Sequence, residues 1–123
     1  MYIKHLKECP EFIAGDDSRL REILNPRKEN MEIRYSLAWA VVQPGEKTLV
    51  HTLTHAEVYH ILKGSGKMYV NNEENVVTQN DTIYIPPNAV QSIENTGKEA
   101  LEFLCIVDPA WQPEAEHIIK EVK

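Results

Sequence analysis

Between Pro44 and Gly66 the chain reads PGEKTLVHTLTHAEVYHILKGSG. A Pro-Gly turn opens the stretch, a Gly-Ser-Gly turn closes it, and two β-rich runs, TLVHTL and EVYHILK, lie between. It carries three of the five histidines, His51, His55 and His60, with Glu57 among them. Imidazole and carboxylate carried on strands rather than in a loose loop are what a divalent metal site requires.

The same pattern of short β runs and turn formers extends well beyond this stretch. MEIRYSLAWAVVQ precedes it, apolar at its centre as in a strand covered on both faces. GKMYVN, ENVVTQ, DTIYIP, VQSIEN and ALEFLCIVD follow, separated by NNE, QND, PPN and NTG. Many short strands of about five to eight residues predict an all-β, antiparallel sandwich or barrel. Asn71-Asn72 is expected to make a tight hairpin turn, because asparagine tolerates positive φ.

The flanks read differently. DDSRLREILNP has Leu20, Ile23 and Leu24 at helical spacing, Asp17 or Ser18 as a cap and Pro26 as a stop, which suggests a short helix. Nine residues do not exclude a strand and a turn. PEAEHIIKEVK reads as a short amphipathic helix, with acids near its start and lysines near its end. The expected division is an N-terminal extension over 1–30, a β domain over 31–109 and a C-terminal segment over 110–123. Trp111 is expected to pack that last segment against the barrel.

Length and charge narrow the function classes. A chain of 123 residues supports one core without staples. Its net charge of −6 is spread along the sequence, and no basic stripe exists to follow a phosphate backbone, so no nucleic-acid partner is expected. No run approaches the roughly 18 apolar residues of a membrane span, and the N-terminus lacks a signal peptide's apolar segment, so a soluble cytoplasmic protein is expected. Cys9 and Cys105 form no CxxC pattern, and Cys105, inside LEFLCIVD, is expected to be a buried structural thiol.

Two stretches resemble the paired signatures of the cupin family. In the first, G-x5-H-x-H-x3-4-E-x6-G, Gly45, His51, Glu57 and Gly64 keep their places. In the second, G-x5-P-x-G-x2-H-x3-N, Pro86 and Asn95 keep theirs. The departures are Leu53 and Gln91 at two histidine positions, and Asn80 and Asn88 at two glycine positions. The resemblance, over roughly 31–109, implies a double-stranded antiparallel β-helix, or jelly-roll barrel, of the small single-domain cupin type with short flanking helical segments. It also implies one divalent metal held by three histidines and a glutamate. Of these only His51 and Glu57 are unchanged, while Gln91 offers a weaker, neutral amide oxygen.

Strand parity adds a constraint. Glu57, Tyr59 and Ile61 share one face and Val58, His60 and Leu62 the other, so if Glu57 points inward His60 does not. His55 has two placements, either swung into the place left by Leu53 or exposed in the HTLTHAE turn, and spacing does not choose between them. The expected metal set is His51, Glu57 and Gln91, with His55 as a fourth, suited to Zn, Mn, Fe, Ni or Co. Tyr59, Trp39, Tyr35 and Tyr84 are the candidate lining of a ligand pocket. The expected function is a small-molecule-handling cupin with a divalent metal site inside the barrel, its reaction unspecified, with dioxygenase and sugar-phosphate isomerase types both open to it. The alternative is a metal-free cupin acting as a small-ligand-binding or structural domain. A homodimer is expected, because open sheet edges need cover.

Overall fold

A computed structural model of the chain describes residues 1–120. An N-terminal hairpin of β1 (Glu11–Ile13) and β2 (Arg19–Leu24) leads into β3 (Ser36–Val42). Then come β4 (His51–Leu53), β5 (Ala56–Lys63), β6 (Ser65–Val70), β7 (Glu73–Thr78), β8 (Thr82–Ile85), β9 (Val90–Asn95) and β10 (Leu101–Asp108). The last strand is β11 (Glu116–Ile118). Two antiparallel sheets, ordered β1-β2-β3-β10-β5-β8 and β11-β4-β9-β6-β7, face one another as a jelly roll.

Strand β10 is the spine of the first sheet, paired to β3 on one side and β5 on the other. LEFLCIVD alternates strictly, so Leu101, Phe103, Cys105 and Val107 all point inward. Phe103 meets Ile61, Ile85 and Ile93 in the core, and its ring centroid lies 4.6 Å from that of Tyr59. Burying such side chains contributes about 1.5–3 kcal/mol each. The inward position of Cys105 agrees with a buried thiol.

Turn chemistry follows the signature positions closely. Gly45 and Gly64 have φ of 81° and 88°, and Asn80 and Asn88, which stand where the family signature has glycine, have 74° and 68°. Asparagine is the side chain that enters this left-handed region at least cost, so the turns survive the replacement. At Gly64 space matters as well, since an added Cβ would lie 2.7 Å from the Ala100 carbonyl oxygen. Asn71, at 53°, turns β6 into β7 as expected. Asn95 ties the strand ends together: its Nδ2 donates to the Val42 and Glu99 carbonyls, and its Oδ1 accepts from Gly97 N.

The helix expected on the C-terminal flank is corrected, and of the two readings left open on the N-terminal flank the structure takes the strand and turn. The segment DDSRLREILNP is a turn and strand β2, in register with β3 from Arg19↔Val41 to Leu24↔Leu37. Asp17, at φ 73°, reverses the chain, and Asp16 takes the Ser18 amide and hydroxyl at 3.0 and 2.6 Å, a local turn rather than a helix cap. The edge of β3 supplies the backbone partners that a nine-residue helix would have had to find alone. At the other end, Pro113–Ala115 is one 3-10 turn and Glu116–Ile118 is a strand paired to β4. Residues 121–123 of the expected helix lie outside the described residues. Trp111 does pack against Leu53, Val107 and Ala115. No helix among the described residues is long and apolar enough to cross a membrane.

Candidate functional site

On β5 parity resolves as the alternation predicts. Glu57, Tyr59 and Ile61 are buried between the sheets, while His60 turns outward and its Nδ1 lies 2.9 Å from Thr82 Oγ1. In the opposite sheet His51 on β4 is the direct partner of Gln91 on β9. Directly opposed residues leave a sheet on the same side, so imidazole and amide both project toward β5. His51 and Glu57 line one cavity of about 140 Å³. Tyr59, which lines it too, donates its hydroxyl to Gln91 Oε1 at 3.3 Å. The structure thus gathers His51, Glu57 and Gln91 in one region of the interior.

His55 is not part of that gathering. Its Nδ1 is 2.7 Å from the Pro109 carbonyl oxygen, at the turn before β5, and Leu53 occupies the cavity wall. Three of the aromatic candidates also lie elsewhere. Trp39 faces away from the cavity under the Arg21 guanidinium, 5.9 Å from its ring centroid, because Ala38 and Ala40 take the inward positions of β3. Tyr35 is exposed just before β3, and Tyr84 is exposed on the edge strand β8. Of the four, Tyr59 alone lines the cavity.

Two carboxylates that sequence reasoning missed complete the polar end. Asp16 comes from the β1–β2 turn, and its Oδ2 lies 3.9 Å from His51 Nε2. Glu116 comes from β11 and covers Gly15, where an added Cβ would sit 2.6 Å from its Oε2. The one local hint was the Gly-Asp-Asp-Ser run, a turn-forming sequence. For Glu116 no local signal existed, since its position depends on β11 pairing with β4.

The electrostatics follow from this crowding. Burial, with Asp16 and then Glu116 nearby, pushes the Glu57 carboxyl up to about 8, and the Gln91 amide offsets this in part. Burial and then Asp16 raise Glu116, against a smaller pull from His51. The buried Cys105 thiol is held up by burial first and then by Glu57 and Asp16. Lys28, the lysine of the cavity wall, is spent on Glu22 at 2.7 Å. His51 Nδ1 lies 2.8 Å from the Leu49 carbonyl oxygen. A carbonyl only accepts, so Nδ1 carries the hydrogen and Nε2 faces the cavity.

Whether these residues fit a divalent ion can be tested on the donors themselves. Leu53 stands at one signature histidine, the Gln91 oxygen is taken by Tyr59, and His55 is engaged at Pro109. Among the described residues no three His, Cys, Asp or Glu side chains are placed to hold an ion together. The set expected from the signature does not fit the ion.

Comparison with known proteins agrees with the architecture. The family model described as "Cupin domain" matches residues 38–107. An uncharacterized protein of Methanocaldococcus jannaschii, MJ1618, is 41% identical over 110 residues, covering 89% of this chain and 87% of its own. The mannose-1-phosphate guanylyltransferase ManC of Salmonella typhimurium is 33% identical over 111 residues, but this chain spans only 23% of its length. Among solved structures, the polyketide cyclase RemF from Streptomyces resistomycificus superposes with a TM-score of 0.82 at 16% identity, over 100% of this chain and 88% of that one. At that identity the likeness is one of fold.

Proposed function

Because this chain belongs to the cupin family, we propose that it receives a small molecule in the cavity between its sheets and binds it through its own side chains. The supporting observation is the cavity itself: about 140 Å³, apolar along Phe103, Leu53 and Val107, with His51, Glu57, Asp16 and Glu116 gathered in its wall. Apolar walls with a few convergent polar groups of shifted pKa are the usual form of a small-molecule site. A sugar-phosphate reaction, the sort of substrate named for the guanylyltransferase relatives, would need a cationic clamp, and Lys28 is already paired with Glu22. A dioxygenase or other metal-dependent activity would need donors beyond those the described residues bring together.

The test is a fragment screen by nuclear magnetic resonance on the full chain. Amide shifts clustered at His51, Tyr59 and Trp111, abolished when Ala38→Leu fills the cavity, are the expected result. Shifts confined to the outer surface, or unaffected by Ala38→Leu, would contradict the proposal.

Two accompanying proposals concern setting and assembly. Both cysteines are free thiols, which suits the reducing cytoplasm. A homodimer through the β1 edge would cover Phe12 and Ile13, which are 46% and 62% exposed. Light scattering after size exclusion should give twice the 14.1 kDa protomer mass, and a single protomer mass at all concentrations would refute the dimer.

A further inference from the structure

We propose that the outer face of the sheet β1-β2-β3-β10-β5-β8 is an interface between two copies of this chain, packed sheet against sheet across β3, β10 and β5. The inference rests on the homodimer reading and assigns the dimer a broader surface than the β1 edge. It is independent of what the cavity binds.

The two sheets are finished differently on their outsides. A sheet with one face on the core and one in water alternates apolar and polar residues along its strands. The sheet β11-β4-β9-β6-β7 does so: outward Lys67 pairs with Glu74 at 3.2 Å, and outward Tyr69 donates to Glu94 at 3.2 Å beside the Lys47 ammonium. The other sheet does not. On β10 burial alternates but hydrophobicity does not, since Leu104 and Ile106 point out between inward Phe103, Cys105 and Val107. On β3 Leu37 and Trp39 point out, because Ala38 and Ala40 take the core side. On β5 Val58 points out with His60.

Register joins these side chains into a patch. Leu37, Ile106 and Val58 are direct neighbours in one row across three strands, and Trp39, Leu104 and His60 in the next. All six are half-buried in the single chain, and none belongs to either core cluster. His60 turns a ring nitrogen toward Thr82, 2.9 Å away, and Thr82 and Tyr84 on β8 form the rim, where contacts carry little energy. The N-terminal segment lies on the β2 side, where Arg21 Nη1 donates to the Cys9 carbonyl at 2.8 Å. Strands apolar on both faces, as β3 and β10 are, belong where both faces are covered.

Shape and charge say what the cover is. Five strands from β2 to β8 at about 4.8 Å, with three outward rows at about 6.8 Å, give a footprint of roughly 500 Å². A helix about 10 Å across would span less than half of that width, whereas a sheet of the same size spans it all. Stable dimers bury roughly 800 Å² of accessible surface per partner, and accessible surface exceeds a flat footprint because side chains stand up from it. In the third row Arg19 and Glu102 flank Val41 on opposite sides. A two-fold axis along the strands sets Arg19 of one copy against Glu102 of the other, and the reverse. A face of mixed sign gives a nucleic acid or an anionic membrane nothing to follow.

The experiment is light scattering after size exclusion on the full chain, beside hydroxyl-radical footprinting. The wild type is expected at twice 14.1 kDa, Leu104→Lys and Val58→Lys at one protomer mass, and Ile13→Asp, on the β1 edge, still at two. If the edge is used as well, the wild-type mass exceeds two protomers and Leu104→Lys lowers it to two, which supports the assignment equally. Footprinting decides the matter even if a lysine variant folds poorly. Trp39 and Leu104 of the wild type should be modified severalfold faster once dilution separates the copies, while Val76, outward on the other sheet and 69% exposed, keeps its rate. A dimer that Ile13→Asp dissolves and Leu104→Lys leaves intact would overturn the face and keep the homodimer. A single protomer mass at all concentrations, with Trp39 and Leu104 modified at rates that dilution does not change, would remove both.

Discussion

The sandwich has two openings between its sheets, and they are finished in opposite ways. Where the β1–β2 turn meets β11, the flanking segments enclose a cavity with buried polar groups. Where the edge strands β7 and β8 face one another, a groove of about 710 Å³ stays open, with Val76 and Tyr84 69% and 64% exposed. Both openings are bordered by the same two sheets. What separates them is the cover: one end has a hairpin before the signatures and a strand after them, and the other has nothing laid across it among the described residues. The fold supplies the frame, and the flanks turn one end of it into an enclosed cavity.

If that contrast is physical, substitutions at the two ends should differ in kind. The largest effect is expected from Phe103→Ala at the enclosed end, which removes a fully buried ring packed at a tilt against Tyr59 and should cost about 3–5 kcal/mol in chemical denaturation. A loss below about 1 kcal/mol would mean that the enclosed end is packed no better than the open one.

Next in size is Glu57→Gln, read as a pH dependence. Folded Glu57 keeps its proton until about pH 8, whereas an ordinary carboxyl loses it near 4.5. Between those values the folded state binds the extra proton, so wild-type stability falls as pH rises through the window and levels off above it. Glutamine has no proton to lose, so the variant should gain on the wild type with rising pH, on the order of a few kcal/mol by pH 9 and little at pH 4. Parallel stability curves for the two proteins would show that Glu57 ionises at no cost and that the enclosed end is wetter than its burial implies.

The smallest effect belongs to the open end. Tyr84→Ser, on an exposed edge position, should change stability by no more than about 0.5 kcal/mol in the same titration. A larger loss would show that the groove is covered in solution and that the contrast between the two ends is false.

How far the sequence announced all this depends on the range of the interaction involved. Strands β5 to β10 were legible because each is bounded by its own turn, and the asparagines at 80 and 88 do what glycine does elsewhere by a property of a single residue. The inward Glu57 and the outward His60 followed from alternation along one strand. Strand β11 was read as a helix, and β2 was left between a helix and a strand, because their partners, β3 and β4, lie elsewhere along the chain, and local spacing carries no trace of an edge waiting to be paired. The candidate site divides the same way. His51, Glu57 and Gln91 come from signature strands and were named from them, while Asp16 and Glu116 are delivered by the two flanking segments and were not. His55 failed to join them for a reason invisible to spacing, a carbonyl at Pro109 within its reach.

The central proposal is that this cupin's interior binds a small molecule with side chains alone, because the signature donors among the described residues do not converge on an ion. Elemental analysis of tag-free protein, incubated with Mn, Fe(II), Ni and Zn and then desalted, tests it most directly. The expected result is no metal retained at a stoichiometry approaching one per protomer. One equivalent retained by the wild type, and lost in both His51→Ala and Glu57→Ala, would contradict it.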